Sequence, residues 1–337
     1  MRWQVSVDAE QCDTHYGGRA VRMLAFVMRR GLGMLVSTLL VIAITFILMQ
    51  LIPGDPAAVM LGSNATPQQV EQLRVSWGLD QPMLVQFYRY FVNFLHGNLG
   101  QSLFYRRPVL QIIGARAETS TFLGIMALLV VVGVGIPAGV ISSLKQNSLT
   151  DNTLLLVALA GASIPSFWLG LMLMVVVAGK WHLLPSSGFT SVLQTGNLAN
   201  LKNLILPALS LGFVNAALVA RTVRSSMLDV LRADYITTAR AKGLAERVVI
   251  VKHALRNASI PIITVISFTF ASLVSGAVVT ENVFALPGVG SLIVQSVLKR
   301  DYPVIQGIMM VVAVLYVLIN FATDLTYASL DPRIRYH

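Results

Sequence analysis

Charge is scarce in this sequence: 12% of its 337 residues are Asp, Glu, Lys or Arg, against about 25% in a typical soluble domain. With 55% hydrophobic residues and a mean hydropathy of +0.71, too few polar groups remain to clothe a water-soluble globule. Cysteine is nearly absent as well. Cys12 has no second cysteine to pair with, which excludes a disulfide scaffold, and the hydrophobic content excludes disorder. A polytopic membrane protein is left.

Catalytic patterns are also missing. The chain has no G-x-S-x-G, no H-E-x-x-H and no Walker A sequence, so it has no nucleophile elbow, zinc helix or phosphate cradle of its own. Its five histidines (15, 96, 182, 253 and 337) lie too far apart in sequence for a metal site by close spacing. The apolar stretches carry no charge at mid-depth of the kind ion-coupled carriers use, and Glu281 and Asp324 fall at stretch ends as interfacial or inter-helix contacts. The chain therefore reads as no enzyme, with no metal site and no bound cofactor. Active transport through it would draw its energy from a partner.

Six apolar stretches are free of Asp, Glu, Lys and Arg: 31–54, 119–144, 152–179, 203–220, 257–280 and 302–323. About 20 helical residues span the hydrocarbon core, and no β-barrel alternation is present. These predict an all-α polytopic protein of six transmembrane helices, the fourth continuing to about Met227. Arg29 and Arg30 beside the first helix place the N-terminus in the cytoplasm, and six spans return the C-terminus (331–337) to the same side. The loop 221–256 then lies inside with eight basic residues against Asp229, Asp234 and Glu246. This bias, rather than nucleic acid, accounts for the net charge of +10. Residues 23–54 read as a retained anchor helix. Residues 1–22 read as a disordered tail or a start assigned too early.

The segment 55–118 carries helix signals of its own. Thr66-Pro67-Gln68-Gln69 is an N-cap, a proline at N1 and a capping box. Gly78 closes that helix, and an amphipathic run from Met83 to Leu95 stops at His96-Gly97. Two readings stand equal: a platform for another protein, or a loop packed on its own membrane domain. In 119–330, the proposed core of five spans, Gly135 and Gly139 let another helix approach closely. Ser163-Ile164-Pro165, Pro137, Pro207 and Pro261 loosen helices locally.

The inner loop has a stronger pattern. Val223, Met227, Leu231 and Tyr235 recur every four residues, which continues the fourth span into the cytoplasm. Gly243 suits a left-handed C-cap after Ala239-Arg240-Ala241-Lys242. A second short helix follows with Val248, Val251 and Leu255 on one face. Two helices turned about a glycine make a compact knob, suited either to a groove on a soluble partner or to anionic headgroups. The small residues Ala239, Ala241 and Gly243 favour close protein contact.

Specific strings then bring in a family. The loop DYITTARAKGL (234–244) and HALRNASIP (253–261) resembles the coupling loop of ABC importer permeases, with Ala239, Gly243 and Leu255 on the general pattern. The usual leading Glu is Thr237 here, and the closing Leu-Pro is Leu255-Arg256. GLDQP (78–82), GNLGQS (97–102), SIPSFW (163–168), RSSMLDVL (224–231), ENVFALPGVG (281–290) and RDYPVIQG (300–307) extend the likeness. With IPGDP (52–56) and DPRIRY (331–336), the chain from Met23 onward resembles permease subunits of bacterial dipeptide/oligopeptide (and nickel) ABC importers. Residues 1–22 and Ala245, where similar chains often have Ser or Thr, depart from that pattern.

The resemblance implies a type I ABC importer permease fold in the bacterial inner membrane. It implies a second related permease forming a heterodimer, two ATPase subunits that hold ATP and Mg²⁺, and a periplasmic substrate-binding protein. It puts Ala239, Gly243 and Leu255 at the ATPase contact, with Arg240 and Lys242 as flanking charges, all within 237–256. Phe167, Trp168 and Asn215 are pathway-lining candidates by depth and polarity. Di- or oligopeptides are the leading substrates, nickel, glutathione or opines the close alternatives, and a stand-alone ion-coupled carrier the reading from a different class.

Overall fold

A computed structural model of the chain describes residues 28, 31–47, 50–51, 55–62, 65–102 and 104–330. The expectations for residues 1–22, Met23 and 331–337 fall outside this range. The described elements are helical: α1 (Gly31–Ile47), α2 (Pro56–Leu61), α3 (Pro67–Trp77), α4 (Met83–Leu95), α5 (Val109–Leu144), α6 (Leu149–Ser163) and α7 (Ser166–Leu173). Next come α8 (Val192–Thr195), α9 (Ile205–Leu231), α10 (Asp234–Ala241), α11 (Glu246–Val248), α12 (Arg256–Val283), α13 (Val289–Leu298) and α14 (Tyr302–Leu330).

Four helical stretches are long and apolar enough to cross a membrane: 109–144, 198–231, 246–283 and 302–326. The stretch expected as one span at 152–179 is instead broken. Its halves, 149–163 and 166–180, meet at an angle of 101°. The cause is local: the ring of Pro165 bars the helical region to the residue before it, and Ile164 is extended at ψ 124°. Counting that bent pair as one span gives five. α1 is apolar but shorter within the described residues.

Two packing centres organise these helices. The larger joins α5 (Leu123, Ala127, Val131), α9 (Leu211, Val219, Val223, Met227) and α12 (Ile262, Leu273, Ala277). The smaller joins Val109 and Ile113 of α5 to Leu292 of α13 and to Val304 and Ile308 of α14. Glycine sets the α5–α9 distance. A Cβ on Gly139 would lie 2.5 Å from the carbonyl oxygen of Ala220, and one on Gly135 would lie 3.0 Å from that of Ala216. From the other side, a Cβ on Gly212 of α9 would stand 2.7 Å from the carbonyl oxygen of Ala127. The expected close approach at Gly135 and Gly139 is thus met by α9.

The segment before α5 folds as its signals predict. Thr66 caps α3 with a full capping box, and Gly78 ends it in the left-handed region. α4 packs on its own membrane helices: Phe87 and Tyr90 meet Phe46 of α1 at ring distances of 5.4 and 5.7 Å, and the Tyr90 hydroxyl reaches the Met310 sulfur of α14. Leu84, Tyr88 and Leu95 remain exposed on this helix.

Gly139→Val would drive a side chain into the Ala220 carbonyl, and overpacking of this kind costs about 1–3 kcal/mol or more. The thermal midpoint of the purified protein in detergent is expected to fall clearly. Gly133→Val on the same helix, where a Cβ meets nothing within 4 Å, is expected to leave it close to wild type.

Candidate functional site

The turn that joins α9 to α12 grows directly out of the core. α9 runs on through Arg221 to Leu231, burying Val223 and Met227 completely. Ala233 is extended (ψ 144°) and reverses the chain into α10, which buries Ile236 and Ala239. α10 ends in a Schellman arrangement: the Gly243 amide donates to the Arg240 carbonyl and the Leu244 amide to the Ala239 carbonyl. Gly243 sits at φ +75°, the conformation its sequence position calls for. Ala245 starts the next helix with no side-chain cap.

That next helix departs from the expected two-helix knob. α11, a π-helical turn (Val249–Leu255) and α12 run as one stretch from Glu246 to Val283. The buried residues are Val249 and Ala254, five apart, while Val248 and Val251 face outward. A 3.6-residue period selects Val248, Val251 and Leu255 as one face. The π turn, with its i→i+5 bonding, widens the repeat and rotates that face away. Leu255 stays half-buried against the core. Tyr235, expected to continue the α9 stripe, sits exposed on α10 and accepts a 3.0 Å bond from the Asn257 side chain.

The base of the turn is packed and its tip is open: residues 240–248 are all exposed. Arg240 spans the tip with a two-pronged contact to Glu246 at 2.7 and 3.2 Å, so this flanking charge braces the two arms. Lys242 and Arg247 stand free of the core, and Leu244 offers apolar surface. A Cβ on Gly243 would meet nothing within 4 Å of its own chain. Of the residues expected at a partner contact, Arg240, Lys242 and Gly243 come together on this tip. Ala239 faces the chain's own core, and Leu255 lies at the base. Phe167 and Trp168 are half-exposed on α7. Asn215 of α9 turns its amide back to the Leu211 carbonyl at 2.8 Å.

Sequence reasoning missed the buried polar joints. Asp151 of α6 is buried and takes a bidentate contact from Arg224 of α9 at 2.8 and 2.7 Å. Its carboxylate also accepts from the Ser142 hydroxyl of α5 and from the Asn147 amide. Three helices, α5, α6 and α9, are thereby tied together near that turn. Ser148-Leu149-Thr150-Asp151 carries a helix-start signature, and Ser148 does cap the Asp151 amide. Nothing local announces a partner 73 residues on. At the far end, Glu281 of α12 is fully buried and accepts from the Ser120 hydroxyl at 2.6 Å and the Ser291 amide at 2.9 Å. The inter-helix role expected of Glu281 is therefore realised, with α13 as a partner.

Comparison with known proteins fits this architecture. Residues 135–336 match the family described as binding-protein-dependent transport system inner membrane component, and residues 23–117 match its N-terminal companion. A peptide transport system permease protein of Brucella abortus (strain 2308) is 40% identical over 314 residues, covering 93% of this chain and all of that one. The dipeptide transport system permease protein DppB of Escherichia coli (strain K12) is 39% identical over 338 residues, covering 93% and 99%. Among solved structures, an inward-facing MetNI methionine ABC transporter chain superposes with a TM-score of 0.55 at 17% identity, over 66% of this chain and 97% of that chain. That likeness is one of fold.

Removing one partner of a buried ion pair costs about 3–5 kcal/mol. Asp151→Ala is therefore expected to lower the melting midpoint of the purified protein strongly. Glu246→Ala, which breaks the exposed pair with Arg240, is expected to leave that midpoint within the scatter of the measurement.

Proposed function

The chain belongs to the inner-membrane components of binding-protein-dependent transport systems, and from that membership we propose that it is the permease subunit of an ATP-driven importer of di- or oligopeptides. It crosses the inner membrane six times, by α1, α5, the broken α6–α7 pair, α9, the α11–α12 stretch and α14. Both termini and the 221–256 loop face the cytoplasm, and the 55–118 segment faces the periplasm. A second, related permease completes the pathway. Two ATPase subunits bind ATP and Mg²⁺, and a soluble binding protein delivers the substrate. The relatives' peptide and dipeptide permease names support the substrate class.

The observation that carries this reading is the exposed 240–248 tip on a fully packed base. A lever passes on displacement when it is stiff and continuous with what it moves. α9 enters the turn without a break and the stretch 246–283 leaves it without one. The Schellman closure and the Arg240–Glu246 brace hold the tip's shape. Closure of the ATPases on nucleotide would push the tip, and α9 and α12 would tilt with it. The α6–α7 break takes up the difference. Arg240, Lys242 and Gly243 make the ATPase contact in this scheme, while Ala239 and Leu255 seat the tip on its base.

Gly243→Asp and Gly243→Val test the proposal. A left-handed φ costs a non-glycine residue about 1–2 kcal/mol, too little to unfold a membrane helix bundle, and the new Cβ would meet no atom of this chain within 4 Å. Peptide uptake by the assembled transporter is expected to be abolished with membrane insertion intact. Normal uptake by either variant would remove the coupling role.

A further inference from the structure

Between the apolar helices lies a cavity of about 740 Å³, walled by α1, α5, α12, α13 and α14. Along α5 it runs from Ile113 to Ile125, and along α12 from Phe270 to Glu281. At 1.5 Å per residue these stretches measure about 18 and 17 Å. The hydrocarbon core of a bilayer is about 30 Å thick, so the cavity is close to one leaflet deep. Its wall is buried in one part and open in another. Ile113, Leu273 and Ile308 are buried, whereas Ile44 of α1, Ile125 of α5 and Leu315 of α14 are 54, 46 and 40% exposed. Ile125 and Leu315 fall midway along their helices, so the opening looks sideways from the bundle into hydrocarbon.

The lining suits a hydrocarbon ligand. Among the described residues that line the cavity, Glu281 alone is charged, and Thr45, Ser120, Thr121 and Ser275 are its hydroxyls. Both Glu281 oxygens are already engaged, Oε1 by the Ser120 hydroxyl and Oε2 by the Ser291 amide. Ser120 also accepts from the Val289 amide at 2.8 Å, and the Ser275 and Tyr316 hydroxyls are bonded at 2.7 Å. With no Lys or Arg among these lining residues, a phosphate would find no counter-charge inside. An engineered apolar cavity of about 150 Å³ stays dry and takes up benzene, because empty space leaves the lining without dispersion partners. The present cavity is several times larger and meets lipid. Water would lose hydrogen bonds on entering it. A lipid chain would not, since both of its surroundings are apolar.

We propose that this cavity is a lipid site holding one acyl chain of a bilayer phospholipid, with the headgroup left at the membrane surface. The inference rests on the membrane-spanning reading above and adds a ligand to it. Gly124 gives access to the site: it lines the cavity, and a Cβ there meets nothing within 4 Å. A larger side chain can therefore enter the space that the acyl chain would occupy.

The test uses the complete transporter, reconstituted in dioleoylphosphatidylcholine vesicles and then extracted into mild detergent. Native mass spectrometry of the extract shows subunit composition and retained lipid together. The wild-type complex is expected to retain one phospholipid more than the Gly124→Phe complex. Ala313→Phe, entering the cavity from α14, is expected to lose the same molecule, and it decides the matter if the Gly124 variant fails to assemble. Gly133→Phe lies on α5 away from the cavity, with nothing within 4 Å of its Cβ, and should keep the wild-type number. Equal counts in the wild type and the filling variants would overturn the lipid site, as would a wild-type complex that retains no phospholipid. A retained species with the mass of oleic acid would overturn it too, by putting a free chain in place of the phospholipid. A complex that stayed in solution without detergent would instead remove the membrane-spanning reading itself.

Discussion

The contact between α5 and α9 fixes the rest of the molecule. In lipid, apolar side chains gain nothing by leaving one apolar surface for another, so helices associate through close van der Waals approach and shared polar groups. Gly135 and Gly139 on one helix and Gly212 on the other bring the backbones to distances at which a single Cβ would strike a carbonyl oxygen. Contacts at both ends of the pair leave neither sliding nor rotation free. With that register set, Ser142 at the C-terminal end of α5 stands beside Arg224 of α9, and Asp151 bridges them. At its N-terminal end, Val109 and Ile113 of α5 carry the smaller core.

This arrangement makes the 232–248 turn part of the bundle. Its buried residues, Ile236, Ala239, Val249 and Ala254, belong to the same core as Val223 and Met227, so a force on the tip acts on α9 directly. Asp151 then ties α6 to α9, and α6 ends in the 101° bend at Ile164-Pro165. The stiff joint and the weak one lie on the same helix. Movement of α9 carries the start of α6 with it, and the bend is where the backbone can yield, because proline removes a bond donor and its predecessor is already extended.

Much of this was legible in the sequence wherever the cause was local. The capping box at Thr66, the left-handed Gly243 and the Gly135/Gly139 spacing each depend on residues within one or two turns, and each appears as expected. The extension of α9 past Arg221 was likewise written in the Val223–Met227–Leu231 repeat. What escaped had a non-local cause or broke the assumed period. Proline at 165 signalled loosening, but the size of the bend depends on what α6 and α7 pack against. The π turn at 249–255 changed the repeat, so the apolar face was assigned to Val248 and Val251 when Val249 and Ala254 hold it. Asp151 and Glu281 sat at the edges of uncharged stretches. Their partners lie on helices that sequence spacing cannot bring together.

The two ends of the bundle treat charge differently, and the difference follows from what each must do. At the end that carries the 232–248 turn, a buried carboxylate meets a guanidinium and an exposed pair braces the tip, so Arg224 and Arg240 hold shape there. At the opposite end, carboxylates are satisfied largely by neutral donors: the buried Glu281 by a hydroxyl and an amide, the half-buried Glu118 by Ser191 and two amides, the buried Asp301 by Ser102 and an amide. Hydroxyls and helix N–H groups can stabilise a carboxylate without spending a counter-charge. Arg74 is the exception at that end, pairing Asp55 and Glu71. One end thus closes its buried acids with neutral groups, whereas the end that carries the 232–248 turn holds Asp151 with a guanidinium.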